Sequence, residues 1–322
     1  MRGFRRILSF HKSSSRETTS AASVKCFQVF ALVCGLSTSA FALQVTGLQP
    51  WAGDAQHVSL DPIQAQQEVF AGRADVALVR TPIRPPRGVG KVLYFPVGVF
   101  PVVVAYNLPV DLSLSLQQVC DIYAGRILLW SELNRDFPKI PILSIVRLEP
   151  NSASWVLAQS CMHIHPRFQK IGLKANWQAE STLRVKTVLE QQKAMLQTGT
   201  FSVFVPENVP EGMRVARLKN WDLDLTPQAL AYGYQANPDE EPFPGPFVSL
   251  PPVNDIQSYP LRGVVWAVVM QDQAYRGRSK EQAREVKGLL QALSTTPAPN
   301  QAPLPQGWVS FPRLYYRGTP FW

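Results

Sequence analysis

Residues 61–80 read DPIQAQQEVFAGRADVALVR, and this stretch sets the fold class. Aspartate followed by proline is a helix start. The Asp61 carboxylate can accept from the first free backbone N–H groups, and Pro62 sits where an N–H would have no partner in any case. Gly72 supplies the stop. The segment after it, ADVALVR, is apolar almost throughout, as a strand covered on both faces must be. A helix feeding directly into such a strand is the repeating unit of an α/β protein.

The same alternation continues in both directions. Upstream, LQVTGL (43–48) reads as a strand. Downstream, a proline-rich turn, TPIRPPRGVG, leads into VLYFPVGVFPVVVAYN (92–107), a long extended run interrupted by Pro96 and Pro101. Prolines in such a run mark an edge strand or a crossing between lobes. A helix is expected over SLQQVCDIYAG, a strand over IPILSIVRL and a helix from near Ser152. Residues 183–196 read as a further helix with Val185, Val188, Leu189 and Leu196 on one face. GTFSVFVP and MRVARL come next as strands, and 221–260, crowded with Pro, Asp, Glu and Gly, as a long loop region. LRGVVWAVVMQD is then a strand, SKEQAREVKGLLQAL a helix with Val286, Leu289, Leu290 and Leu293 inward, and the tail is proline-rich and aromatic.

The 322-residue chain opens with basic residues, continues through the apolar run CFQVFALVCGL and reaches STSAFA. This is the pattern of a secretory signal peptide over 1–42, with cleavage near Ala42, because the apolar run is too short to span a bilayer. Its removal takes six of the 32 Lys and Arg and one of the 23 Asp and Glu, leaving 26 against 22 and a mature charge of about +4. That is too mild for a nucleic-acid partner, and no basic run interleaved with aromatics supports one. No second apolar run is long enough to cross a membrane. A body of roughly 280 residues is long for one compact unit, so two lobes are expected. Cys120 and Cys161 are the cysteines that remain, and in an oxidising compartment they are either one disulfide or two buried thiols.

The order of pieces FAGRADVALVRTPI, YFPVGVFPVVVAYNLP, LSLQQVCDIYAGRILLWSELN, IPILSIVRLEPNSASW, GTFSVFVP and YPLRGVVWAVV resembles the periplasmic phosphate-binding proteins of ABC transporters, DING-type relatives included. The resemblance runs over most of residues 43–293, and its sharpest piece is CDIYAGRILLW, a glycine turn followed by a tryptophan at fixed spacing. It implies a two-lobed type II (Venus-flytrap) fold that closes on an anion. Lobe 1 would hold 43–106 plus 259–322, and lobe 2 would hold 107–258. It also brings the helices carrying Cys120 and Cys161 side by side, implying one bridge. The family's extra N-terminal strand, Gly-rich loop and helix do not fit in the residues before ADVALVR, so the first lobe is expected to be trimmed.

Residue by residue, the resemblance puts Arg147 on the family's ligand arginine, Glu149 on the aspartate that orients it, Asn151 on a serine, Ser152 on a glycine and Ala153 on a threonine. Pro150 replaces another glycine. In GLQPWAGD, Pro50 and Trp51 replace the serine and glycine of a second anion loop. Proline has no N–H to offer, so Trp51 either lines the cleft or stacks on an organic ligand. Arg80 stands where the family has an aspartate that accepts the ligand's proton. Exchanging an acceptor for a fixed cation reverses the local preference. Arg80 and Arg147 could clamp an anion together, or Arg80 could pair with Glu149 and close an empty cleft.

No G-x-S-x-G, H-E-x-x-H or P-loop lysine motif is present, and His163 and His165 have no third ligand at metal spacing and read as an exposed or capping pair. No cofactor, metal or catalytic residue is expected. The expectation is a periplasmic, monomeric solute-binding protein that takes phosphate or another oxyanion or carboxylate for an ABC permease. The alternative is the same scaffold repurposed for a protein or envelope partner, with the tail PRLYYRGTPFW as its support.

Overall fold

The computed structural model describes residues 43–165, 168, 182–218, 259–296, 301, 304 and 313–322. The signal-peptide expectation for 1–42 and nearly all of the 221–260 loop expectation lie outside these residues.

Two five-stranded mixed sheets organise the chain. The first has the order β2(Gln56–Val58), β1(Gln44–Gly47), β3(Val76–Val79), β12(Arg262–Met270), β4(Val92–Pro101). Within it β1 pairs in parallel with β2 and β3, and β12 runs antiparallel to β3 and β4. The second has the order β10(Arg214–Val215), β5(Val103–Tyr106), β9(Thr200–Phe204), β7(Leu143–Arg147), β8(Thr182–Val185), with β7 parallel to both β8 and β9. A two-stranded pair, β6(Ser113–Leu114) with β11(Arg217–Leu218), and a C-terminal hairpin of β13(Tyr315–Tyr316) and β14(Thr319–Pro320) complete the strands.

The prolines of the long run sit where a missing N–H does least harm. β4 is the edge of its sheet, and the register against β12 slips between Val265 and Trp266, next to Pro96. The chain leaves the first sheet at Pro101 and enters the second at Val103. The returning chain lies beside this crossing: Val102 N–H donates to the Leu261 carbonyl at 2.7 Å, and the Tyr259 hydroxyl donates to the Val102 carbonyl at 2.9 Å. Two strands of connection therefore join two α/β lobes.

Helix α1(Pro62–Phe70) begins as its sequence dictates, with Asp61 accepting from Ile63 and Gln64 N–H, and all four residues of β3 are buried behind it. Helix α6(Lys280–Thr295) buries Val286, Leu289, Leu290 and Leu293. In the second sheet, alternate residues serve opposite faces, as strand geometry requires. Val104, Tyr106 and Val146 join the main core together with α2(Leu116–Tyr123) and α4(Ser152–Cys161), whereas Val103, Ala105, Ile145 and Phe204 join a smaller cluster with Met195. Cys120 of α2 and Cys161 of α4 are bridged, with Cα atoms 5.5 Å apart. After Gly125, whose φ is +70°, the chain reaches the short helix α3(Trp130–Leu133), where fully buried Trp130 donates to the Gly199 carbonyl at 3.1 Å.

One expected element is corrected. Residues 183–196 are not one helix: Thr182–Val185 is a strand paired with β7, and α5(Val188–Ala194) starts only after Thr187 caps it. The apparent stripe was coincidental, since Leu189 and Leu196 are exposed and the residue α5 buries is Gln191. The aromatic tail packs on the first sheet, with Trp322 stacked on Phe95 of β4 at 5.9 Å between centroids.

Candidate functional site

The cleft lies between the two sheets, at the ends of β1, β3, β7 and β9, with a volume of about 560 Å³. Each strand end delivers something to it. β1 stops at Gly47, whose φ is +88° and whose missing Cβ would lie 2.4 Å from the Leu78 carbonyl oxygen, so no other residue lets the chain turn this close to β3. β3 delivers Arg80 and Thr81, and β7 delivers Arg147 and, through its loop, Glu149, Asn151 and Ser152.

The second sheet's side is built around the amino end of α4. Asn151 caps it, accepting from Ser154 N–H at 2.8 Å while its amide donates to the Glu149 carbonyl at 3.0 Å. The capping leaves the N–H groups of Ser152 and Ala153 without an acceptor among the described residues, and the helix dipole adds partial positive charge there. Arg147 stands beside this end. Its Nε lies 3.0 Å from a Glu149 carboxylate oxygen, close enough for ion pairing but not aligned as a hydrogen bond, and its Nη1 reaches Gln191 only at 3.5 Å. Burial holds the Arg147 guanidinium below the usual arginine range, against the raising effect of the Glu149 charge. Gln191 is itself fixed, donating to Ser202 Oγ at 2.8 Å and the Val203 carbonyl at 3.1 Å.

The first sheet's side is different. Arg80 lies over the Phe100 ring, 4.8 Å from its centroid, and forms an ion pair with Glu207, in the 3-10 turn after β9. It therefore pairs across the cleft with Glu207 and not with Glu149, which stays with Arg147. The α1 end offers no free donors at this point. Pro62 has no N–H and Asp61 consumes the next two, so its contribution to the lining is a carboxylate. Thr81 Oγ1 and Arg80 Nε are buried without hydrogen bonds.

Of the residues singled out from the sequence, Arg80, Arg147, Glu149, Asn151 and Ser152 come together on one cavity, and Trp51 does not join them. Its indole N–H donates to the Thr296 carbonyl at 2.6 Å, at the end of α6. Sequence reasoning missed Glu207, Gln191, Thr81 and the lining role of Asp61. An acid three residues after the apolar strand TFSVF was visible, as was Arg80 directly after VALV, but nothing local ties positions so far apart. His165, expected to be exposed or capping, is buried and lies 2.8 Å from Asp121, fastening the end of α4 to α2 beside the disulfide. Among the described residues no cluster of three or more His, Cys, Asp or Glu is placed to hold a metal, and no helix is long and apolar enough to cross a membrane.

Comparison with known proteins agrees with this architecture. No curated protein matches the chain by sequence. Among solved structures, the phosphate-binding protein from Stenotrophomonas maltophilia superposes with a TM-score of 0.62 at 15% identity, covering 83% of this chain and 91% of that one. The high-affinity periplasmic phosphate-binding protein PfluDING, solved with phosphate, gives 0.61 at 13% identity, covering 83% and 91%. The ancestral soluble variant of the Human Phosphate Binding Protein gives 0.60 at 12% identity, covering 83% and 92%. At these identities the likeness is one of fold. Residues 57–229 match the PBP superfamily domain, and a match over more than half of the sequence places this chain in the PBP superfamily.

Proposed function

We propose that the chain is an exported, periplasmic solute-binding protein without catalytic activity, which takes a small anion, phosphate or another oxyanion or a carboxylate, in the interlobe cleft and presents it to an ABC permease. The observation that carries this reading is the meeting of Arg147 with the free amino end of α4 in one cavity, opposite a second arginine from the other sheet. Partial positive charge and unspent N–H donors replace the water an oxyanion gives up on binding. The structural relatives are phosphate-binding proteins, and one holds phosphate. The family resemblance puts Arg80 where a proton-accepting aspartate would stand, and the carboxylates that line this cavity are Asp61 and Glu149.

Calorimetry of the purified exported protein against phosphate, sulfate, acetate and succinate tests the reading, with Arg147→Ala as control. Binding of at least one anion, lost in Arg147→Ala, is the expected result. A wild-type protein silent against the whole panel would refute it. That outcome would favour a second reading, a scaffold that engages a protein or envelope partner, which draws on the fact that both arginines already have carboxylates of the chain itself beside them.

A further inference from the structure

We propose that Glu207 is the specificity-determining residue of the cleft: by holding Arg80 across the gap it leaves Arg147 as the cation available to a ligand, so the site takes small monoanions and excludes doubly charged ones. This deepens, and rests on, the anion-binding function proposed for the cleft.

Arg80 and Glu207 are 127 residues apart and stand on different sheets, Arg80 at the end of β3 and Glu207 in the turn after β9. Glu207 follows Pro206 and precedes Asn208, and Val205 and Asn208 line the cavity. A carboxylate placed there is chemically what an anionic ligand would present to Arg80, already tethered to the protein. Intramolecular competition of this kind is strong because the competitor never diffuses away. The Arg80 guanidinium lies over the face of Phe100, a fully buried ring, which fixes the plane in which Arg80 can donate.

The charge of the lining points the same way. Among the described lining residues the cations are Arg80 and Arg147, and Asp61 and Glu149 are the carboxylates. Adding Glu207 makes three negative charges against two positive before any ligand enters. Arg147 also has a carboxylate beside it, but Glu149 is not aligned to accept from its Nε and its Nη1 reaches Gln191 only at 3.5 Å, so a monoanion can use Arg147 together with the N–H groups of Ser152 and Ala153. A dianion needs a second cation to offset its extra charge against the surrounding carboxylates, and Glu207 occupies that cation. Glu207 is half-exposed, so glutamine is accommodated in its place, and the group left without its counter-charge is Arg80, whose side chain is only 14% exposed.

The test compares acetate and sulfate binding by calorimetry at constant ionic strength, in wild type, Glu207→Gln and the double variant Arg80→Gln/Glu207→Gln, with circular dichroism to verify the fold. Wild type should bind acetate more tightly than sulfate. Glu207→Gln should raise sulfate affinity about tenfold or more while changing acetate affinity less than threefold, and adding Arg80→Gln should remove the gain. A wild type that binds acetate, with a Glu207→Gln variant no better for sulfate, overturns this inference and leaves the anion-binding reading standing. If neither form binds either anion, this inference falls, and the anion-binding reading falls with it only when phosphate and succinate fail as well.

Discussion

Replacing Gly263 by alanine should destabilise the protein and disturb the cleft together. Gly263 lies in β12 opposite Phe100 of β4, and its φ is not in the left-handed region, so space and not backbone freedom is what demands glycine. A Cβ there would stand 2.5 Å from Phe100 Cζ, 2.6 Å from its Cε1 and 2.7 Å from Val156 Cγ2 of α4. All three distances lie well inside van der Waals contact. Neither neighbour can step aside into solvent, because both are buried. Overpacking of this kind costs about 1–3 kcal/mol. The better strand propensity of alanine returns at most about 1 kcal/mol, and loss of the Arg80 contact on a displaced Phe100 ring removes about 0.5–1 kcal/mol. The net expectation is a loss of about 1–3 kcal/mol in urea unfolding, with a lower midpoint at unchanged m-value. Phe100→Leu in the Gly263→Ala background should recover part of that loss, since it removes the ring atoms that clash. A Gly263→Ala protein as stable as wild type would show that the β4–β12–α4 junction is looser than the geometry states, and the reasoning would fail.

Other outcomes rest on the same geometry. Removing the bridge with Cys120→Ser/Cys161→Ser opens a closed loop with a sequence separation of 41 and should cost about 4 kcal/mol on a chain-entropy argument. Thiol titration of denatured, non-reduced wild type should find neither cysteine free, and two free thiols would refute the bridge. Glu132 accepts from Leu128 N–H at 2.6 Å and Leu129 N–H at 2.7 Å, and these backbone bonds hold its carboxyl below the usual carboxylate range. Because the folded value is the lower one, the stabilisation is present at neutral pH and is lost as pH falls through that value. Glu132→Ala should therefore cost about 0.5–1 kcal/mol at pH 7, as a lost cap does, and less at pH 3, as read from urea midpoints at the two pH values.

Much of the fold was legible in the order of residues because it depends on neighbours. The Asp61–Pro62 start of α1, the apolar β3, the edge character of β4 with its prolines and the inward face of α6 all express local hydrogen bonding or periodicity, and each appears as read. Local pattern failed at 183–196, where four apolar residues mimic a helical face. Pairing with β7 outweighed that periodicity and left only the last part helical. Each strand end and the start of α4 could be read locally, but that the two arginines belong to one cleft was legible only through the family resemblance. What occupies those arginines was not legible at all. Glu207 meets Arg80 only because the cleft brings together the ends of both sheets, and Trp51 finds the Thr296 carbonyl 245 residues away only because the chain returns to the first sheet through β12. A side chain's type sets what it can bond, but its partner is set by which surfaces the fold closes together, and that depends on contacts no sequence window contains.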